Sequence, residues 1–394
     1  MTPQGATESP SLERARVNPA DVVAAAAARR GGRIAASPAP SRVLSLDALR
    51  GTVVAGMLLV NNMIWTAATP RQLMHAPWGT GVTFTDMILP WFVLVVGIAI
   101  PAAGRRRAGK RPAAVRVLRR AAVLVGLGIL IDSAAARSLT VGMDVLQLLG
   151  LSYLVAAPLA RTPAWSRLAT AGGLLAAYGG LLTLVPVPGL PPGVFQEHRN
   201  VIQYINDVYL ARFAIAGILA VAPAGALAVI GTVAGDVLSS GRIALVAKTA
   251  VFAAAGAALC AGGAAWARWL PLSKDLWTPP YALVAGGLGL LLLAACHLCF
   301  EVARLRRLAV PLAVLGSNPL VGYVASALFA VAAMQTWPNP WSRGGALALH
   351  PTLLDPLGGA VGAVAAGWIY TGSVIALWWL VLFALYRRRI FIRV

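Results

Sequence analysis

Charge is scarce in this chain. Of 394 residues, 12% are Asp, Glu, Lys or Arg and only 13 are acids, while 59% are hydrophobic and the mean hydropathy is +0.75. That balance excludes an ordinary water-soluble domain, and the repeated apolar runs of about 20 residues have the length that crosses a bilayer core. Cysteine is scarcer still. Cys260, Cys296 and Cys299 all lie in apolar runs, so they form no disulfide framework. The CHLC stretch at 296–299 offers three ligands where a closed zinc site takes four, and no metal is expected. Only four histidines occur, His75, His198, His297 and His350. No phosphate-cradling glycine loop is present; GGLGLLLL at 286–293 is the small-residue pattern of close helix packing.

The formal charge of +20 does not point to nucleic acid, because the basic residues cluster in short segments between apolar runs, as cytoplasmic loops do. The expected fold class is therefore an all-α polytopic membrane protein in the lipid bilayer of the cell (plasma) membrane. Residues 1–42, rich in Ala, Arg, Pro and Ser, read as a disordered basic tail, and 43–394 as the transmembrane domain. Ten spanning helices are expected near 43–65, 82–102, 114–133, 141–160, 166–185, 212–235, 244–264, 279–300, 309–335 and 361–386. With that arrangement 25 of the 33 basic residues fall on one side, which predicts both termini to be cytoplasmic. Arg71, Arg137, Arg199, Arg212, Arg268, Lys274 and Arg343 fall on the other.

The first helix, SRVLSLDALRGTVVAGMLLVNNMIW, carries Asp47, Arg50, Asn61 and Asn62 in an otherwise apolar span, where polar groups normally face a bundle interior. Arg50 and Asn61 are about three turns and about 16 Å apart on nearly one face. Asp47 and Arg50, three residues apart, also suit simple mutual neutralisation. Beyond this helix, on the side opposite the termini, comes HAPWGTGVTFTDMILPWF, with His75, Trp78 and Asp86. Asp86 suits orientation of the His75 imidazole, contact with a substrate hydroxyl or amine, or capping of a helix start. Trp78 suits either a sugar-stacking platform or an interfacial anchor. Lys274 and Asp275, in LPLSKDLWTPPY, line an acceptor entrance or form an exposed ion pair. Asp144 and Gln147 suit either a place facing the bundle or contact with substrate, and Asn318-Pro319 marks a kink within the ninth helix.

Taken together, SLDALRG at 45–51, LLVNN at 58–62, HAPWGTGVTFTDMILPWFVLVVG at 75–97, LPLSKDLWTPPY at 270–281, LGSNPLVGYV at 315–324 and the terminal LYRRRIFIRV resemble the heparan-alpha-glucosaminide N-acetyltransferase family. The resemblance implies a transmembrane acyltransferase that takes acetyl from cytosolic acetyl-CoA to the amine of a glucosamine unit on the far side. It implies His75 as the catalytic residue, acting with Asn61. It departs from the family at Leu148, where arginine is common, and at Asn206, where an acid is expected.

Neutral imidazole is a reasonable base for an attacking amine, or a group that is itself acetylated first. Asn61 suits an oxyanion donor. The CoA phosphates would stay at the cytoplasmic face, where Arg50, Arg119, Arg120, Arg304 and Arg387 are the expected partners, with the pantetheine arm along the Arg50–Asn61 stripe. Asp86, Trp78, Lys274, Asp275 and Asp47 are the expected acceptor-binding residues. An O-acyltransferase or a saccharide transporter shares this architecture, and a homo-oligomer is compatible with it.

Overall fold

The computed structural model describes residues 43–106, 113–338 and 346–392. The expected tail at 1–42 lies outside the described residues, as do Arg107, Lys110, Arg111, Arg343 and Arg393 of the basic-residue pattern. Among the described residues helices dominate, and the strands are two short antiparallel pairs. The longer helices are α1 (Leu44–Asn61), α2 (Phe84–Arg106), α3 (Ala113–Ala136), α4 (Val145–Leu159), α5 (Ala164–Leu184) and α6 (Val221–Ser239). They continue with α7 (Leu245–Trp266), α8 (Pro279–His297), α9 (Arg306–Ser317), α10 (Pro319–Met334), α11 (Leu349–Val361) and α12 (Ala363–Arg387).

Each of the ten expected segments is largely helical, yet length and composition support fewer crossings. Among the described residues six helices are long and apolar enough to span a membrane: α1, α2, α6 with the turn before it, α7, α8 with the turn after it, and α12. The pair α9 and α10, bent by 64° at its break, makes a seventh if counted as one span. Three segments fall short of that measure of length and composition for physical reasons. Helix α4 has 15 residues, about 22 Å at 1.5 Å per residue, against a hydrocarbon core of about 30 Å. Helix α3 carries Arg116, Arg119, Arg120 and Asp132, and α5 is diluted by glycine, serine and threonine. The sixth segment also starts later than expected. Residues 206–220 wind through π and 3-10 turns with Ala214 and Gly217 at positive φ, so Arg212 belongs to the connection rather than to a span.

Contacts between helix termini sort the bundle into two ends. At the Leu44 end, Arg167 of α5 meets Asp236 of α6, and the Lys248 ammonium of α7 donates to the Leu238 carbonyl. Thr249 then meets His297 of α8, and Glu301 accepts from the Ser45 amide of α1. The series closes where α1 lies against α9: a Cβ on Gly51 would overlap the Leu312 carbonyl and one on Gly316 the Asp47 carbonyl, so glycine at both permits backbone-to-backbone approach.

The α9–α10 break is the kink expected at Asn318-Pro319, with an added role for the side chain. Asn318 is fully buried, donates through Nδ2 to the Ile390 carbonyl at 2.9 Å and accepts from the Ile392 amide at 2.8 Å, pinning the segment after α12 to the break. The first described helix and the C-terminal segment therefore meet at one end.

The His75 end is built from the opposite termini. Gln335, after α10, donates to the Ala134 carbonyl of α3, Thr371 of α12 donates to the Asn62 carbonyl, and Tyr178 of α5 donates to the Leu276 carbonyl. An apolar cluster of Tyr178, Leu182, Val201, Ile202, Leu270 and Leu276 roofs part of this end.

Candidate active site

The segment between α1 and α2 is short on regular structure and long on side-chain anchors. A 3-10 turn at Arg71–Leu73 lets Gln72 accept the Phe84 amide at 3.0 Å, satisfying one of the donors that a helix start leaves free. Pro77 to Thr80 closes a turn, Gly79 and Gly81 take positive φ, and the chain enters α2 through Thr83. Asp86 stands three residues on, and its Oδ2 accepts the Thr83 amide at 2.9 Å, one half of a capping box. That oxygen also accepts the Ala76 amide at 3.2 Å and lies 3.0 Å from the Thr83 hydroxyl.

The other carboxylate oxygen serves the imidazole. His75 Nδ1 lies 2.7 Å from Asp86 Oδ1, and the Lys274 ammonium approaches the same oxygen at 3.5 Å. The Asp86 side chain is fully buried, whereas that of His75 is 49% exposed. A carboxylate partner places the proton on Nδ1, so Nε2 carries the lone pair. Tyr281 of α8 fixes the same turn from behind, its hydroxyl donating to the Asp86 carbonyl at 2.5 Å. The result is an imidazole with one nitrogen locked, its ring half in the open.

The structure redistributes several expected roles. Asp86 lies against the imidazole with its side chain fully buried. Lys274 belongs to the cluster, and Asp275, 3.7 Å from it, forms the more exposed side of that pair. Trp78 packs against the apolar roof and donates through its indole to the Phe195 carbonyl at 2.9 Å, which ties the outer connection down over the His75 turn. Asn206, where the resemblance predicts an acid, accepts from the Gly217 amide at 2.9 Å.

Asn61 ends α1 at this same end, exposed; among the described residues no hydrogen bond joins it to His75. Its neighbour Asn62 is buried, donates to the Leu58 carbonyl and keeps Oδ1 without a partner. Asp47 is not brought to His75. It lies at the Leu44 end, 3.2 Å from Arg50, the mutual neutralisation that their spacing allowed.

The expected phosphate partners share the Leu44 end. Arg119, Arg304 and Arg387 are exposed there, and Arg120 lies over the Tyr153 ring, 4.6 Å from its centroid. Exposed guanidinium groups beside the helix termini suit a polyphosphate ligand. The stripe expected to carry the pantetheine arm is packed in this structure, because Val54, Met57 and Leu58 fill the face between Arg50 and Asn61 and are buried.

Sequence reasoning missed Tyr281, although it closes the same LPLSKDLWTPPY block that supplies Lys274. It also missed Gln72 and the part played by the Ala76 amide. The Thr83-to-Asp86 spacing was the one local signal for the cap.

Comparison with known proteins bears on this site directly. The sequence model of the family described as heparan-alpha-glucosaminide N-acetyltransferase, catalytic, matches residues 42–260, more than half of the chain. The chain belongs to this family. Among curated proteins it is similar to the human heparan-alpha-glucosaminide N-acetyltransferase, 27% identical over 192 residues, covering 40% of this chain and 28% of the human protein. The match thus spans less than a third of that relative's length. The family region holds Asn61, His75, Trp78 and Asp86, whereas Lys274, Asp275, Arg304 and Arg387 lie beyond it.

Proposed function

We propose that the protein is a membrane-embedded acetyltransferase that moves an acetyl group from acetyl-CoA, taken at the Leu44 end, to the amine of a glucosamine-type sugar presented to His75 at the other. The observation that carries this reading is the pairing of a buried Asp86 carboxylate with a half-exposed His75, which leaves Nε2 as an oriented base at an open end of the bundle. The name of the human relative and of the family supports the choice of donor and acceptor. The excess of Lys and Arg on the side of the termini supports a cytoplasmic Leu44 end and an extracytoplasmic His75.

In this chemistry the sugar amine attacks the thioester carbonyl, the C–N bond forms, the C–S bond breaks and CoA leaves as the thiolate. His75 Nε2 takes the proton that the amine gives up and returns it to the leaving sulfur. Asp86 holds the ring and stabilises the imidazolium that forms meanwhile, as an acid does behind a catalytic histidine. The Asn61 amide, with no hydrogen-bond partner among the described residues, would donate to the developing oxyanion. Arg50, Arg119, Arg120, Arg304 and Arg387 would hold the donor's phosphates.

The test is product identification by mass spectrometry after purified protein is offered acetyl-CoA with a panel of amino sugars and their N-blocked counterparts. An N-acetylated product from the free amines alone is the expected result. Acetylation of the N-blocked sugars would move the assignment to a hydroxyl acceptor, and sugar uptake into vesicles with no CoA released would replace the enzyme with a transporter.

A further inference from the structure

The polar groups of the His75 end are not all gathered around the imidazole. A second set lies where α3 ends and α4 begins. The Asp132 carboxylate accepts from Gln147 Nε2 at 2.7 Å and faces the carboxylate of Asp144, the exposed residue that precedes α4. Tyr323 of α10 stands in the field of both acids, edge-on to Phe92 of α2 with ring centroids 6.4 Å apart. Its hydroxyl makes no hydrogen bond among the described residues.

Gln147 supplies the independent observation. It is 1% exposed, and its Oε1 has no hydrogen-bond partner. The amide fits only because Gly128 has no side chain; a Cβ there would overlap Oε1. A buried amide oxygen left without a donor is costly, and two facing carboxylates repel one another. Two carboxylates and an amide oxygen make a site rich in acceptors, with the Tyr323 phenol able to donate or accept, so what it is short of is donors. A ligand rich in donors is the match that such a site calls for. A molecule bearing several hydroxyl groups and an amine is a good one, and carboxylates and amides are the usual partners of such groups.

The placement agrees. The connection between α5 and α6 reaches the His75 turn through the Phe195 carbonyl on Trp78, and reaches the residue before Asp144 through Gly217, packed against Met143. One roof covers both polar sets. We propose that Asp132, Asp144, Gln147 and Tyr323 form a subsite that binds the hydroxyl-bearing body of the amine acceptor. This rests on the acetyl-transfer reading for the identity of the acceptor, but the binding itself does not require transfer.

The experiment uses the full chain in detergent and D-glucosamine as the probe, titrated calorimetrically without acetyl-CoA and then used as acceptor in the transfer assay. With Asp144→Asn and Asp132→Asn the affinity for glucosamine falls tenfold or more, and KM for glucosamine rises by a matching factor while KM for acetyl-CoA does not follow. Because Asp144 is exposed, Asp144→Asn decides the matter if Asp132→Asn fails to fold. Glucosamine binding that is absent in the wild type, or unchanged in the folded variants, overturns the proposal. Binding that depends on these acids in a protein that transfers no acetyl leaves the subsite standing and overturns the acetyl-transfer reading.

Discussion

His75 and His297 sit at opposite ends of the same bundle, and each has one ring nitrogen engaged. His75 meets a buried carboxylate and leaves half of its side chain open. His297 meets the Thr249 hydroxyl at 2.8 Å, packs edge-on to Phe252 with ring centroids 5.9 Å apart, and is 1% exposed. The carboxylate can compensate a charge arriving on the ring; the hydroxyl cannot, and the sealed ring has no route to a reactant. Partner and access, rather than the imidazole itself, separate a residue fitted for chemistry from one fitted for packing.

Replacing each histidine by alanine puts this contrast at greatest risk. His75→Ala is expected to lower acetyl transfer by about 10³-fold, within the range that general acid–base groups contribute, with the thermal unfolding midpoint nearly unmoved because the ring is half exposed. His297→Ala is expected to do the reverse. Removing a buried ring costs about 3 kcal/mol, read as a lower midpoint, while turnover per folded molecule persists. Transfer that survives His75→Ala would dissolve the distinction.

Asp86→Asn probes the carboxylate without emptying its seat. An asparagine oxygen still accepts the Thr83 and Ala76 amides, but the amide nitrogen facing His75 would favour the tautomer with the proton on Nε2. The base is then masked. A fall in kcat of about 10²-fold is expected, smaller than for His75→Ala, with KM for acetyl-CoA unmoved. A rise in KM for the donor with kcat unmoved would assign Asp86 to donor binding instead.

Much of this was legible in the sequence, in a particular order. Apolar run length gave the helices, because burial in lipid constrains every residue of a span. Length and composition do not single out α4 as a crossing, because its helix has only 15 residues. The His75–Asp86 pair was legible because both residues stand near one helix start, where eleven residues of loop and turn cannot carry them far apart. Lys274 and Tyr281 were harder to place, since they come from about 190 residues away and only the packing of α8 beside α2 brings them in. The polar stripe on α1 misled for a related reason. Its ends are polar, but Val54, Met57 and Leu58 between them are core positions, and a helical period by itself does not distinguish an open face from a packed one. Asn318 lay in between: the Pro319 that follows announced the break, and nothing local announced that its side chain would hold Ile390 and Ile392.

The smallest expected effect sharpens the comparison from the His297 side. Thr249→Val keeps shape and removes the hydroxyl, leaving His297 Nδ1 without its partner in a closed seat. The loss should be about 1 kcal/mol, the usual net value of one such bond, seen as a small drop in the unfolding midpoint and recovered by Thr249→Ser. Acetyl transfer should be untouched, since the seat lies at the end opposite His75. If Thr249→Val instead slowed transfer with the midpoint unchanged, the His297 seat would be coupled to the reaction, and burial could no longer be taken as what divides the two histidines.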